Sequence, residues 1–298
     1  MIRERARLPF LAFALSIAAL GVTACGRGTA DNGPSVGTPA VTLSHDRAPA
    51  GSPLELTYKF VVAPDAKFDE DFRVFVHVVD TDEEQMWDDD HNPVMPTTQW
   101  KPGQTIEYTR TMFVPKFPYS GDTSIVIGIY SPKSGARVPL SGQSRGQREY
   151  EVARFNLHPQ ADNLYVVFKD GWHETEAAEE QTGVEWQWSK KTATLTFRNP
   201  MRDALLYLQC DQPVQGLGEP QHVELRVGET VIDSFPLPAG QRELRKVSLT
   251  SAQMGTGETV DVTVAVDKTF VPATITQLKS TDARELGIRV FRAYVQPK

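Results

Sequence analysis

The side chains best suited to chemistry crowd into one short stretch. Asp80, Asp82, Glu83, Glu84, Asp88, Asp89 and Asp90 follow one another closely, with His77 before them and His91 after. Hard carboxylate oxygens in a loop suit Ca²⁺, and Asp80, Asp82, Asp89, Asp90 and His91 are the candidate metal ligands. The spacing departs from the EF-hand pattern, because Gln85 stands where the turn glycine belongs. Two histidines among carboxylates also fit Zn²⁺ or Mn²⁺. The plainer alternative is a solvated acidic loop between strands, with His91 capping a turn.

The tryptophans offer a second chemistry. They are Trp87, Trp100, Trp172, Trp186 and Trp188. Exposed indoles stack on sugar rings, and a sheet face can present them in a row. Trp100, Trp172, Trp186 and Trp188 are therefore candidate ligand-binding residues. Trp186 and Trp188 share a strand face, which suits a platform or a core, and core packing is the commoner fate of large aromatics.

A third stretch, Gly171-Trp172-His173-Glu174-Thr175-Glu176, joins an aromatic, a histidine and two carboxylates. A glycosidase needs two carboxyls about 5–9.5 Å apart, but such pairs are common in an acidic chain, and a polar loop explains the stretch equally. Asp282, Arg284 and Glu285 are better suited to an ion-pair network than to a site. The chain has no G-x-x-x-x-G-K-[ST], no strand-linked G-x-G-x-x-G, no H-E-x-x-H and no C-x-x-C. No catalytic residue is assigned, and the expectation is a protein that is not an enzyme.

These residues sit on a chain whose dominant period is two. Leu54, Leu56, Tyr58, Phe60 and Val62 alternate with Glu55, Thr57 and Lys59, and Phe72, Val74, Val76 and Val78 alternate with Arg73, Phe75 and His77. Ile106, Tyr108, Met112 and Val114 share one phase, as do Ile125, Ile127 and Ile129, and Tyr150–Leu157 closes the set. Turn-rich breaks such as Lys101-Pro102-Gly103 separate the runs. His158-Pro159-Gln160-Ala161-Asp162 looks like an interdomain linker, after which the pattern resumes at Val184, Ala193, Val223 and Val260. Ile288 and Val290 keep one phase, while Phe291, Ala293 and Val295 take the other; a bulge or a strand buried on both faces explains the switch. Leu249–Gly255 has room for one helical turn, stopped by Gly255. The spacing predicts an all-β chain of two consecutive antiparallel β-sandwiches, residues 41–158 and 163–298.

The chain has 298 residues, 31 Lys+Arg against 38 Asp+Glu, a net charge of −7 and a 40% hydrophobic composition. That is a globular composition, which excludes a mostly disordered chain. The acidic balance argues against a nucleic-acid partner, which calls for a basic patch.

The beginning of the chain reads as an export signal. Arg3, Arg5 and Arg7 precede an uncharged run from Leu8 to Val22, shorter than the roughly 18–20 apolar residues of a membrane span. Val22-Thr23-Ala24-Cys25 resembles the lipobox of bacterial lipoproteins, with Val22 in place of the commoner Leu. The resemblance implies cleavage before Cys25, residues 1–24 as signal peptide, a diacylglyceryl thioether on the Cys25 sulfur and an acyl chain such as palmitate on its amine. Two or three acyl chains hold a protein firmly at a bilayer. Gly26, not Asp, follows the cysteine, which by the same resemblance permits passage to an outer membrane. The expected location is thus the bacterial cell envelope, at the outer membrane facing the periplasm. Residues 25–40 are small, polar and Gly/Pro-rich, and are expected to be a flexible tether spanning on the order of 20 Å. With Cys25 acylated, Cys210 in its apolar run is expected to be a buried small hydrophobe without a disulfide.

The first half, with Phe75–Asp80, Asp89–Pro93, Pro96–Gly103 and Val126–Tyr130, resembles an immunoglobulin-like module of bacterial envelope proteins and membrane glycosyltransferases. The second half, with Trp186-Gln187-Trp188, Phe270-Val271-Pro272 and Asp282–Gly287, resembles a jelly-roll-like module from similar contexts. The likeness implies an envelope lipoprotein that binds or scaffolds an unidentified envelope protein or glycan in polysaccharide or envelope assembly. The competing expectation is a glycan-active or metal-dependent hydrolase using the acidic loop 80–91. No cofactor is expected beyond the lipid on Cys25 and, in the metal reading, Ca²⁺.

Overall fold

Strand alternation governs the structure, a computed structural model that describes residues 33–115, 118–159, 165–178, 184–212 and 220–298. Cys25, the leader and most of the expected linker lie outside the described residues. The N-terminal strands are β1 (Gly37–Leu43), β2 (Arg47–Pro49), β3 (Pro53–Val62), β4 (Arg73–Val79) and β5 (Gln85–Asp88). They continue with β6 (Thr105–Phe113), β7 (Gly121–Tyr130), β8 (Arg137–Val138), β9 (Gln143–Gly146) and β10 (Glu149–His158). One sheet has the order β1-β3-β6; the other runs β2-β10-β7-β4-β5, with β8 on β7 and β9 on β10. All pairs are antiparallel except β2 with β10.

The alternating residues of β3, β4 and β7 meet in one core. Leu54, Leu56, Tyr58 and Phe60 from β3 face Val74, Val76 and Val78 from β4 and Ile125, Ile127 and Ile129 from β7. Burying side chains of this size contributes about 1.5–3 kcal/mol each. The expected tether is shorter than its composition suggests. Gly37–Ala40 belongs to β1, paired with Lys59–Val62. A glycine and a proline are tolerated there because β1 is an edge strand, and a Cβ on Gly37 would stand 2.9 Å from the Val61 carbonyl oxygen.

The C-terminal strands are β11 (Val167–Phe168), β12 (Glu176–Ala177), β13 (Glu185–Trp188), β14 (Thr192–Arg198) and β15 (Ala204–Asp211). They continue with β16 (Gln221–Val227), β17 (Thr230–Leu237), β18 (Arg242–Leu249), β19 (Thr259–Val266) and β20 (Arg289–Pro297). Two antiparallel sheets, β11-β14-β19-β16-β17 and β12-β13-β20-β15-β18, enclose a second core. Leu195 and Phe197, Val223 and Leu225, and Val260, Val262 and Val264 from the first sheet meet Leu206, Leu208 and Cys210 from the second. The anticipated turn exists as α1 (Ser251–Met254). Thr250 and Gln253 form a reciprocal capping box at its start, and Gly255 at φ 68° ends it.

The phase switch in β20 is a bulge. Asp211 and Cys210 of β15 pair with Arg289 and Val290, and Gln209 then pairs with Arg292. Phe291 is the extra residue. Val290 and Val295 both reach the core, while Arg292 between them is exposed.

Candidate functional site

The outward face of the sheet β12-β13-β20-β15-β18 brings aromatic rings and guanidinium groups together. Strand β15 sends Ala204, Leu206, Leu208 and Cys210 inward, so Tyr207, Gln209 and Asp211 face out. Residues directly opposite in neighbouring strands share a face. Asp211 stands opposite Arg242 on one side and Arg289 on the other, and Arg289 stands opposite Trp188. Gln209 is flanked in the next row by Leu244 and Arg292.

Arg289 and Asp211 form a planar two-bond pair, Nε to Oδ1 and Nη2 to Oδ2, each 2.7 Å. The same guanidinium lies against three rings, with centroids 5.1 Å away for Trp186, 5.7 Å for Trp188 and 5.3 Å for Phe291. Trp186 and Phe291 are themselves 6.0 Å apart. Arg242 covers Phe291 at 3.7 Å, and Arg292 lies 5.2 Å from the Phe113 ring of β6. Such contacts hold guanidinium planes in place at about 0.5–2 kcal/mol each.

The electrostatics are one-sided. Desolvation, with a contribution from the Arg289 charge, pushes the Arg242 pKa down, although Asp211 opposes this. Crowding by the protein and then the Arg242 charge push Arg292 down. Both remain exposed to solvent. At the other end of the cluster the Trp188 indole donates to Glu176 Oε2 at 3.3 Å. Arg284 pairs with Glu176 and Asp282, both at 2.7 Å. The Arg284 hydrogen bonds hold the Asp282 carboxyl below its ordinary range. The buried Trp186 indole N–H has no acceptor among the described residues.

The four candidate tryptophans do not form one surface. Trp100 is buried in the N-terminal core against Phe60 and Phe68, its indole donating to the Met95 carbonyl at 2.9 Å. Trp172 packs on Phe168 and donates to the Thr194 carbonyl at 2.8 Å. Core burial claims these two, because each indole finds an apolar wall and one carbonyl. Only Trp186 and Trp188 reach the outward face, and Trp188 is mostly covered by Phe270 and Leu286.

The acidic stretch is likewise dispersed. Asp80 accepts the backbone N–H groups of Asp82 and Glu84, closing its own turn. Asp89 pairs with Arg110 at 3.3 Å, and Asp90 accepts the Val76 N–H at 3.0 Å. His91 is buried: its Nδ1–H donates to the Asp89 carbonyl, and its Nε2 accepts from the Tyr108 hydroxyl, both at 2.9 Å. That arrangement leaves neither imidazole nitrogen open to a metal. His77 reaches Glu149 instead, at 3.4 Å. Among the described residues no three His, Cys, Asp or Glu side chains converge. In the third stretch, the His173 Nε2–H donates to the Glu285 carbonyl at 2.8 Å, and Glu174 is exposed.

Asp211, Arg242, Arg289, Phe291 and Arg292 escaped the sequence reading. The alternation of 204–211 marks Asp211 as outward-facing, but nothing local says that 242 and 289 flank it. That proximity comes from the strand order.

No protein-family model matches this chain, and no curated protein matches it. Among solved structures it is similar to a Bacteroides uniformis β-glucuronidase, at 11% identity over 87% of this chain and 30% of that one, with a TM-score of 0.30. It is also similar to the tandem CBM22 domains of Paenibacillus barcinonensis Xyn10C, at 8% identity over 91% and 95% of the two chains, TM-score 0.26. A third is the Bacteroides ovatus SGBP-B solved with a mixed-linkage heptasaccharide, at 11% identity over 84% and 51%, TM-score 0.26. The chain spans under a third of the length of the β-glucuronidase. These are loose likenesses.

Proposed function

We propose that this chain is a lipid-anchored envelope protein that binds a glycan on the outward face of its C-terminal sheet. In this reading an immunoglobulin-like sandwich and a jelly-roll-like sandwich follow one another. Acyl chains on Cys25 hold them at the outer membrane, and residues 26–36 give clearance from it. The observation that carries the binding role is the cluster of Trp186, Phe291, Arg242 and Arg289 on the outward face, beside the covered Trp188. Rings supply apolar surface for sugar C–H groups, and guanidinium N–H groups supply donors for sugar oxygens.

A glycan array probed with the full-length protein tests this. Binding to at least one polysaccharide, weakened in Trp186→Ala, supports the reading; an array without signal overturns it. Metabolic labelling with an alkyne fatty acid tests the anchor: wild type takes the label, Cys25→Ala does not, and an unlabelled wild type removes the lipoprotein reading.

A further inference from the structure

The outward face carries an electrostatic imbalance that a neutral sugar does not relieve. Arg242 and Arg289 flank a single carboxylate, Asp211, with Arg292 in the next row, and both Asp211 oxygens are engaged by Arg289. Several other arginines find carboxylates: Arg137 meets Glu149, Arg145 meets Glu151, Arg245 meets Asp233 and Arg284 meets Asp282. Arg242 and Arg292 make no ion pair with the described residues, although acidic residues outnumber basic ones, 38 to 31. These two stand in adjacent rows and are close enough to repel one another. Each rests on an aromatic ring, Phe291 or Phe113, which fixes the guanidinium while its N–H groups stay in reach of solvent.

We infer that Arg242 and Arg292 together receive an oxyanion substituent of the bound glycan, so that the ligand is an acidic polysaccharide. The inference rests on the glycan reading above and adds the charge of the ligand. A carboxylate or sulfate group placed between two guanidiniums removes their repulsion and accepts charge-assisted hydrogen bonds from both. Asp211 on Arg289 is an internal example of the same contact, one row away.

Calorimetry on the full-length protein in detergent tests this with five polymers: alginate, dextran sulfate, carboxyl-reduced alginate, neutral dextran and poly-glutamate. The expected result is binding of alginate or dextran sulfate, at least tenfold tighter than to its uncharged counterpart, weakening as salt rises. The stronger of the two identifies the oxyanion. Arg242→Gln with Arg292→Gln lowers that affinity about tenfold or more. Arg47→Gln with Arg202→Gln, which removes the same charge at exposed positions elsewhere, leaves it unchanged. Equal binding of charged and neutral polymers, or equal loss in both double variants, overturns the inference while leaving a glycan-binding face. Binding of poly-glutamate alone makes the partner an acidic protein and overturns both readings, as does binding of none of the polymers together with a silent glycan array.

Discussion

Arg289 closes on Asp211 through two parallel hydrogen bonds, and the side chain of Asp211 is only 9% exposed. The pair anchors β20 to β15 where the bulge at Phe291 interrupts their ladder. Removing one member of a buried ion pair leaves the other charge uncompensated, at about 3–5 kcal/mol. Asp211→Asn is therefore expected to lower stability by about 3 kcal/mol, read as a fall in the urea midpoint with an unchanged slope. A shift below about 0.5 kcal/mol would mean the pair contributes nothing net.

Tyr58 illustrates the opposite balance. Its ring is wholly buried, stacked 5.2 Å from Tyr108 and edge-on to His91 at 4.9 Å, yet its hydroxyl has no hydrogen-bond partner among the described residues. A buried hydroxyl without a partner costs about 1–3 kcal/mol. Tyr58→Phe is expected to raise stability by about 1 kcal/mol in thermal or urea unfolding. Tyr108→Phe, which deletes the bond to His91, is expected to lower it by a similar amount.

His91 makes the fold sensitive to mild acid. Burial is the main force lowering its pKa below 6.5, helped by the Arg110 charge, against the Asp89 carbonyl and nearby carboxylates. The unfolded chain takes up a proton at this residue before the folded chain does. Its contribution is thus fully present above pH of about 6.5 and declines as pH falls from there to the folded pKa. Unfolding free energy measured between pH 7.5 and 5 should fall for the wild type and fall less for His91→Gln. His45 is also held low by burial, so the decisive quantity is the difference between the two slopes.

Cys210 is free and buried, and burial pushes its thiol up to about 12. A thiol held protonated at neutral pH is a poor nucleophile. Ellman's reagent at pH 8 should leave it unmodified in the native protein and titrate it fully in guanidinium chloride. Rapid native modification would place Cys210 at the surface.

The alternation Leu54–Val62 was enough to specify a strand and its buried face, because a period of two admits no other regular structure. The phase change around Val290 and Phe291 left a bulge and a doubly buried strand open, and the pairing of β15 with β20 decided for the bulge. Composition misled at Gly37–Ala40, where Gly and Pro suggest tether and an edge position accommodates them in β1. For Trp100 and Trp172 residue type is silent on whether an indole meets a sugar or a core wall.

What the sequence alone determined is therefore local: all-β character, strand phases, the short turn ended by Gly255 and the acidic balance. What only the tertiary structure decided is which distant residues become neighbours. Arg242, Asp211 and Arg289 lie far apart along the chain and share one face because β18, β15 and β20 hydrogen-bond in that order. Strand order is set by the burial of whole sheets and not by any short run of residues, so no local pattern encodes it. The acidic stretch was scattered for the same reason: backbone donors and Arg110, supplied by neighbouring turns and strands, engaged its carboxylates separately.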